Sequence, residues 1–465
     1  MHPLPRSTTT TRVHPVEEYP TSPREVAEDI VGRAEAPWPR WRWLVLALGA
    51  LFLLGVVGLA LRVGQGGDHT RWGYYAALLG FLYTVAGGAP IVSVATRMAK
   101  AHWRRPLARI AEVYAVVGVL TLLLFIPLMG VIPPAEGRNT IWIVGGVRQG
   151  WPPGAPVAYD LLTLVMVALG GLALLWIAAI PDLAALRDRG RGGLTALLSL
   201  GWRGTLRQWQ VHRAALGVAG GLYFIAYVGG CIPFASDLVL SFVPGWKDSI
   251  FPAYYALSGL QAGLAAVVVT AFFLRTVGGY RRYIHVDQFW GAAKLLLALS
   301  LLWAYFHWSA FLTFWYGRTP TGQNLQVLLY FGPYRPLFIA SLFLNWLIPL
   351  FAFLIGPVRR SVLGPTLVSF SILVGALLDR IRLHVATWSV PDPRGHTFEA
   401  VPPPVPLGVA DGILLVGGIG GALLLYVLAL RFFLPMSAWE MKELTYLRVV
   451  RPFLKTRAVV LGKPE

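Results

Sequence analysis

Apolar residues run through this chain in long unbroken blocks, not in the period-two alternation of a half-buried strand. Ten blocks stand out, at roughly 42–62, 72–98, 108–132, 156–180, 214–235, 252–275, 288–315, 335–357, 363–386 and 409–433. Each is long enough to cross a hydrocarbon layer of about 30 Å as a helix. In lipid the backbone has no water to bond to, so a spanning block is expected to satisfy its own N–H and C=O groups as an α-helix. The pattern predicts an all-α membrane protein with ten transmembrane helices. The transmembrane domain is expected over 42–434, with an N-terminal segment 1–41 and a C-terminal tail 435–465. Residues 1–40 are polar, Pro-rich and mixed in charge, and they do not read as a signal peptide.

Polar residues between the blocks give an orientation. With charges at block ends assigned to the nearer side, the loops on the side of the termini hold 29 Lys and Arg and the opposite loops hold 10. Lys294 falls within a block. The positive-inside rule then predicts that both termini are cytoplasmic, as in a multi-pass protein of a bacterial cell (inner) membrane. The opposite loops are poor in charge and rich in Pro, Trp and Gly: "VIPPAEGRNTIWIVGGVRQGWPPGAP" (131–156), "SFVPGWKDSIFP" (241–252) and "WSVPDPRGHTFEAVPPPVPLG" (388–408). They are read either as surfaces covered by other subunits or as compact loops lying on the membrane interface.

Composition agrees with the block pattern. The chain has 465 residues, 56% hydrophobic and 13% charged, more apolar surface than a soluble fold could hide. The net charge of +18 is explained by loop topology and contact with anionic lipid headgroups, so nucleic acid is not expected as a partner. Cys231 is the one cysteine. That excludes an internal disulfide, covalently attached haem, a cysteine-held iron–sulfur cluster and structural zinc. No covalently bound cofactor is expected.

Ionisable groups inside a membrane are costly and are candidates for function by default. Glu112 and Lys294 lie towards the basic side. Asp160, Asp237, Asp379 and Asp411 lie near the opposite ends of their blocks, and His307 is the deepest histidine. For most of these the bland alternative is snorkelling to water from within a turn or two of a block end. For Lys294 it is an ion pair with Glu112 or a lipid phosphate. Residues 11 apart on a helix lie within about 20° of one another. Lys294, Tyr305 and Tyr316 therefore share a stripe, with Ser309 one turn beyond Tyr305, and His307 lies on another face above Ser300. The stripe is expected to line an interior proton route or a quinone-sized cleft; the alternative is aromatic packing. A two-histidine haem is not expected, because His307 has no deep partner and His212 and His384 lie at opposite ends.

Two stretches carry a family resemblance. "FASDLVLSFVPGWKDSIFPAYYALSGLQAG" (234–263) and "LLWAYFHWSAFLTFWYGRTP" (301–320) resemble NrfD/PsrC-like (polysulfide reductase-like) integral membrane subunits. They are most similar to the quinone-type membrane subunits of alternative complex III, a quinol-oxidising assembly of respiratory or photosynthetic electron transport. The resemblance implies two four-helix bundles, spans 2–5 and 6–9, with flanking helices 1 and 10. It implies a subunit that accommodates a quinone such as menaquinone, or provides a path for proton translocation, without a redox cofactor of its own. It further implies iron–sulfur and haem c subunits docked on the outer face and a second NrfD-like membrane subunit. Asp237, Trp246 and Tyr316 stand at the family's motif positions. Members that bind quinol directly carry histidines in the second span and at the end of the third, where this chain reads "LYTVAGGAPIVSV" (82–94) and "LLLFIPLMGVIPP" (122–134). A secondary transporter, with helix breaks at 87–90 and 229–233, and a purely structural scaffold are the rival readings.

Overall fold

In a computed structural model of the chain, residues 22–35, 41–134, 137–138, 140–141, 155–453 and 456–461 are described. The first 21 residues and most of the 131–156 loop lie outside them. Two elements precede the expected bundles: α1 (Pro23–Glu35), and the first apolar helix, α2 (Trp41–Gly64). The first bundle follows as α3 (Gly73–Met98), then α4 (Arg105–Val113) and α5 (Val117–Met129), one span joined through a single 3-10 turn, then α6 (Ala155–Asp188), the short α7 (Leu194–Leu198) and α8 (Leu206–Leu238). The second bundle is α9 (Phe251–Thr276), α10 (Val286–Gly317), the short α11 (Pro320–Gln326), α12 (Arg335–Leu342) and α13 (Ile348–Leu354), the short α14 (Gly356–Arg359) and α15 (Leu363–Trp388). The chain continues with α16 (Val409–Phe432) and α17 (Ala438–Leu447). A two-stranded antiparallel hairpin, β1 (Arg448–Phe453) and β2 (Thr456–Leu461), pairs Arg448 with Leu461 and Phe453 with Thr456.

Nine helices among the described residues are long and apolar enough to cross a membrane. The remaining expected span, 363–386, is α15. Its 26 residues reach about 39 Å, but Asp379, Arg380 and Arg382 in its second half keep it from being apolar throughout. Those charges are buried inside the protein, where a polar span can be held.

Within each bundle, successive spans pack in a ring. The bundles meet along α3, α9 and α15, while α2 and α16 pair with each other beside the first bundle. Glycine sets two of these approaches. A Cβ on Gly88 would lie 2.3 Å from the Gly259 carbonyl oxygen, and one on Gly417 would lie 2.2 Å from the Gly55 Cα. Any side chain at these positions would part the helices.

The breaks that a transporter would use are not there. Pro90 lies within the continuous α3 and Pro233 within the continuous α8. Proline at 90 cannot bond the carbonyl four residues back, and the neighbouring Gly87 carbonyl accepts the Tyr223 hydroxyl at 2.8 Å. Irregular helix appears instead in the second bundle, as π-turns at Val327–Phe331 and Phe343–Leu347. Such turns interrupt the regular backbone ladder and occur often at functional sites.

The basic end of the first bundle is closed by ion pairs. Glu440 on α17 meets Arg97 at 2.8 Å and Arg104 at 2.9 Å, and Asp182 meets Arg109 at 2.9 Å. Asp182 also accepts the Ala438 backbone N–H at 3.0 Å, which seats the start of α17 on α6.

Candidate functional site

The second half of α15 reads Asp379-Arg-Ile-Arg-Leu-His384. Asp379 and Arg382 are three apart and share a helical face. Arg380 and His384, four apart, share the adjacent one. On the first face, the Arg382 guanidinium donates to Asp379 Oδ1 at 2.7 Å, and the Tyr254 hydroxyl of α9 donates to Oδ2 at 2.8 Å. On the second, Arg380 donates to the Tyr255 carbonyl at 3.1 Å and to the Ser258 hydroxyl, and its guanidinium lies 3.7 Å from the Tyr255 ring centroid. The Tyr255 hydroxyl and His384 Nε2 are 2.9 Å apart. Asp379, Arg380, Arg382 and His384 are each 1% exposed or less. Buried charge survives only when it is paired and hydrogen-bonded, and removing one member of such a pair costs about 3–5 kcal/mol.

Beside this cluster lies a pocket at the 241–252 end of the second bundle. Trp246 and Asp248 come from that loop, Tyr254 from α9, His307 from α10, Tyr330 from a π-turn and Arg382 from α15. The pocket's cavity volume is about 20 Å³. His307 stacks on Trp303, with ring centroids 5.1 Å apart and planes within 1°, and on Phe338 at 5.3 Å. Among the described residues its Nε2 is buried without a hydrogen-bond partner. Arg382 reaches over the Tyr330 ring, 5.4 Å from its centroid. Asp248 accepts the backbone N–H groups of Ile250 and Phe251 at 2.9 and 3.1 Å, at the start of α9. Burial pushes its carboxyl above the ordinary value, against those two bonds.

Three residues singled out from sequence converge here: Trp246, His307 and Asp379. The rest lie elsewhere. Asp237 is fully buried at the end of α8 and accepts the Ile141 N–H at 3.1 Å, tying the 137–141 segment to the bundle. With Asp160 it also opposes the effect of burial on Arg138, which pushes that guanidinium down to about 10. Glu112 is held by Ser93 at 2.7 Å, Arg97 at 2.8 Å and Arg109 at 3.5 Å, inside the ion-paired end of the first bundle. It does not meet Lys294.

The expected interior stripe on α10 is an outward one. Tyr305 is 62% exposed and Tyr316 78%, Lys294 is exposed, and the Ser309 hydroxyl is turned back onto the Tyr305 carbonyl at 2.8 Å. The 11-residue spacing does place these side chains on one face, but α10 packs on the rest of the bundle through Trp303, His307 and Ser300 instead. The inward polar stripe belongs to α9: Tyr254, Ser258 and Gln261 recur at helical spacing and are all buried. Gln261 donates to Ser300 Oγ and to the Asn345 carbonyl, each at 2.8 Å.

Inside the first bundle lies a smaller cavity of about 10 Å³, lined among others by Tyr83, Gly87, Thr121 and Tyr223 and by no charged group.

No curated protein matches the chain. A family model described as "Polysulphide reductase, NrfD" matches residues 63–390, from the end of α2 to just beyond α15, and so takes in both bundles. The chain belongs to the NrfD family of integral membrane subunits.

Proposed function

We propose that the second-bundle pocket accommodates a quinone headgroup and that Tyr254 and Asp379 carry protons away from it. Family membership makes the chain a membrane subunit of a quinone-interacting oxidoreductase complex that works with iron–sulfur subunits. The observation that carries the finer reading is the meeting of a buried His307 Nε2, without a partner among the described residues, with the Tyr254–Asp379–Arg382 hydrogen-bonded set in one aromatic-walled pocket. The chemistry of the lining suits a quinone. Flat apolar rings match Trp246, Tyr254 and Tyr330, and carbonyl or hydroxyl oxygens match His307 and Arg382. The space is narrow, so side chains must give way for a ring to enter.

A bound quinol supplies two electrons and two protons, the electrons passing to redox centres in partner subunits. His307 Nε2 is placed to bond a headgroup oxygen. Arg382 orients Asp379, and Tyr254 links the pocket to that carboxylate. Beyond it, Ser258, Gln261, Ser300 and Asn345 extend a neutral polar line into the bundle. Several buried atoms along it, Gln261 Oε1 and Asn345 Oδ1 among them, have no partner among the described residues, as sites for bridging water do.

The complex is of the alternative complex III type on this proposal, in a bacterial cell membrane with both termini cytoplasmic. Iron–sulfur and haem c subunits would cover the 241–252 and 388–408 loops, and a second NrfD-like subunit would lie alongside. Support comes from the two quoted stretches, the loop charge asymmetry and the absence of histidine from 82–94 and 122–134. That absence moves attention from the first bundle to the second.

Tyr254→Phe removes one hydroxyl and keeps the ring. In the assembled complex it is expected to slow quinol oxidation at least about ten-fold, the scale of a lost proton-transfer group, with assembly yield unchanged. Unaltered turnover in both Tyr254→Phe and Asp379→Asn would remove this pocket from the reaction.

A further inference from the structure

At the basic end of α10, two cations share one indole. Lys294 Nζ lies 4.3 Å from the Trp290 ring centroid, and the Arg360 guanidinium carbon lies 5.3 Å from it. The two charges are therefore within about 10 Å of each other. Neither has a carboxylate within ion-pairing distance among the described residues, and neither donates a hydrogen bond there. Both side chains are exposed.

Their depth is informative. Lys294 lies about 12 Å along the axis from the start of α10 at Val286. Its ammonium is drawn back one turn to Trp290, the direction in which a lysine on this leaflet snorkels towards headgroups. Arg360 reaches the same ring from the turn between α14 and α15. Next to the cations the surface is apolar: Leu301, two turns deeper on the same face of α10, is 47% exposed, and Leu363 and Leu367 at the start of α15 are 56% and 59% exposed. A cation pair at headgroup depth, continuous with an apolar strip towards the membrane centre, matches an amphiphile with an anionic head.

We infer that Lys294, Arg360 and Trp290 form a binding site for the phosphate group of an anionic membrane lipid, with its acyl chains lying along Leu301, Leu363 and Leu367. The phosphate neutralises two like charges that the described residues leave unbalanced. The indole fixes both cations by cation–π contact and holds them apart as a fork. An acidic side chain of a partner subunit could supply the same charge, but not the fit to the apolar strip. The site is separate from the second-bundle pocket and does not depend on a quinone binding there.

The test uses the full chain reconstituted in bilayers of phosphatidylcholine with phosphatidylglycerol. Native mass spectrometry counts retained lipid, and thermal unfolding is followed across a phosphatidylglycerol titration. The wild-type chain is expected to retain phosphatidylglycerol over phosphatidylcholine and to melt higher as its fraction rises. Two neutralised cations near an anionic headgroup should weaken retention about thirty-fold in the Lys294→Gln/Arg360→Gln variant, and Lys294→Arg should keep it. Inorganic phosphate alone should neither raise the melting temperature nor displace the lipid, since it lacks the chains; if it does both, the site is one for free phosphate and the lipid assignment is overturned. Equal retention in the double variant, or no preference for phosphatidylglycerol in the wild-type chain, overturns the site. So does a double variant that keeps its lipid but loses a co-purifying acidic subunit. Should the double variant fail to fold, the wild-type titration and Lys294→Arg still decide the question.

Discussion

Asp248 is a carboxyl that the fold would be steadier without. Its proton affinity is raised by burial, against the two backbone N–H groups it accepts. A raised folded-state value favours the native state at low pH, and that contribution is lost as pH rises through the raised value. Asp248→Asn keeps an acceptor for Ile250 and Phe251 and never ionises. It is expected to raise the melting temperature more at pH 7.5 than at pH 4.5, as thermal unfolding in detergent will report. A melting temperature that falls at both pH values would mean that the charge supports the fold. At this scale the sequence was partly legible. His307 stood out because titratable groups deep in a span are rare, and Asp379 because a carboxylate within an apolar block is costly. Arg380, Arg382 and His384 did not, because charges near a span's end read as loop or snorkelling charges. Tyr254 and Tyr255 were in plain view in the 234–263 stretch, but nothing in a sequence tells which helix they face. The α10 stripe failed for the same reason. In a helix apolar all round, polarity does not mark the inward face, so a correct spacing for Tyr305 and Tyr316 carried no information on direction.

Helices were the most legible elements, since length and hydropathy fix them. Their ends were less so: α6 continues to Asp188 and α8 begins at Leu206, both beyond the apolar blocks, because ion pairs and capping extend helices into polar sequence. Thr205 and Gln208 supply such a cap. The π-turns at Val327–Phe331 and Phe343–Leu347 have no sequence signature, yet they carry Tyr330 and Asn345 to the site. Helix α17 is held by charge. Burial raises the Glu440 carboxyl, but Arg104 and Arg97 outweigh it and hold the group down to about 2. A carboxyl lowered in this way stabilises the fold above its ordinary value of 4.5, and the contribution is lost as pH falls towards 2. Glu440→Gln leaves the buried Arg104 guanidinium without its carboxylate, while Arg97 keeps Glu112, and is expected to cost about 3 kcal/mol. It should loosen α17 first. Limited proteolysis after α16, combined with melting curves at pH 4 and 7, will check this. The variant should be cleaved faster than wild type at pH 7 and show the smaller loss on acidification.

The whole molecule is two bundles pressed together at glycines, with the ionic clamp at one end of the first bundle and the aromatic pocket at the opposite end of the second. Glu112, one of the ionisable candidates named from the sequence, belongs to that clamp. The second bundle holds the pocket, the Asp379 cluster and the neutral polar line through Gln261 and Asn345. On the proposed reading the second bundle carries the reaction and the first supports it. The arrangement of spans into bundles came from resemblance, not from hydropathy, because apolar blocks alone do not say which helices touch. The most direct test is to photolabel the purified complex with an azido-quinone and map the modified peptides. Labelling is expected on 246–254, 303–314, 325–330 and 379–383, and an excess of natural quinone should suppress it. Suppressible labelling confined to the first bundle, at 83–94 or 115–134, would contradict the assignment.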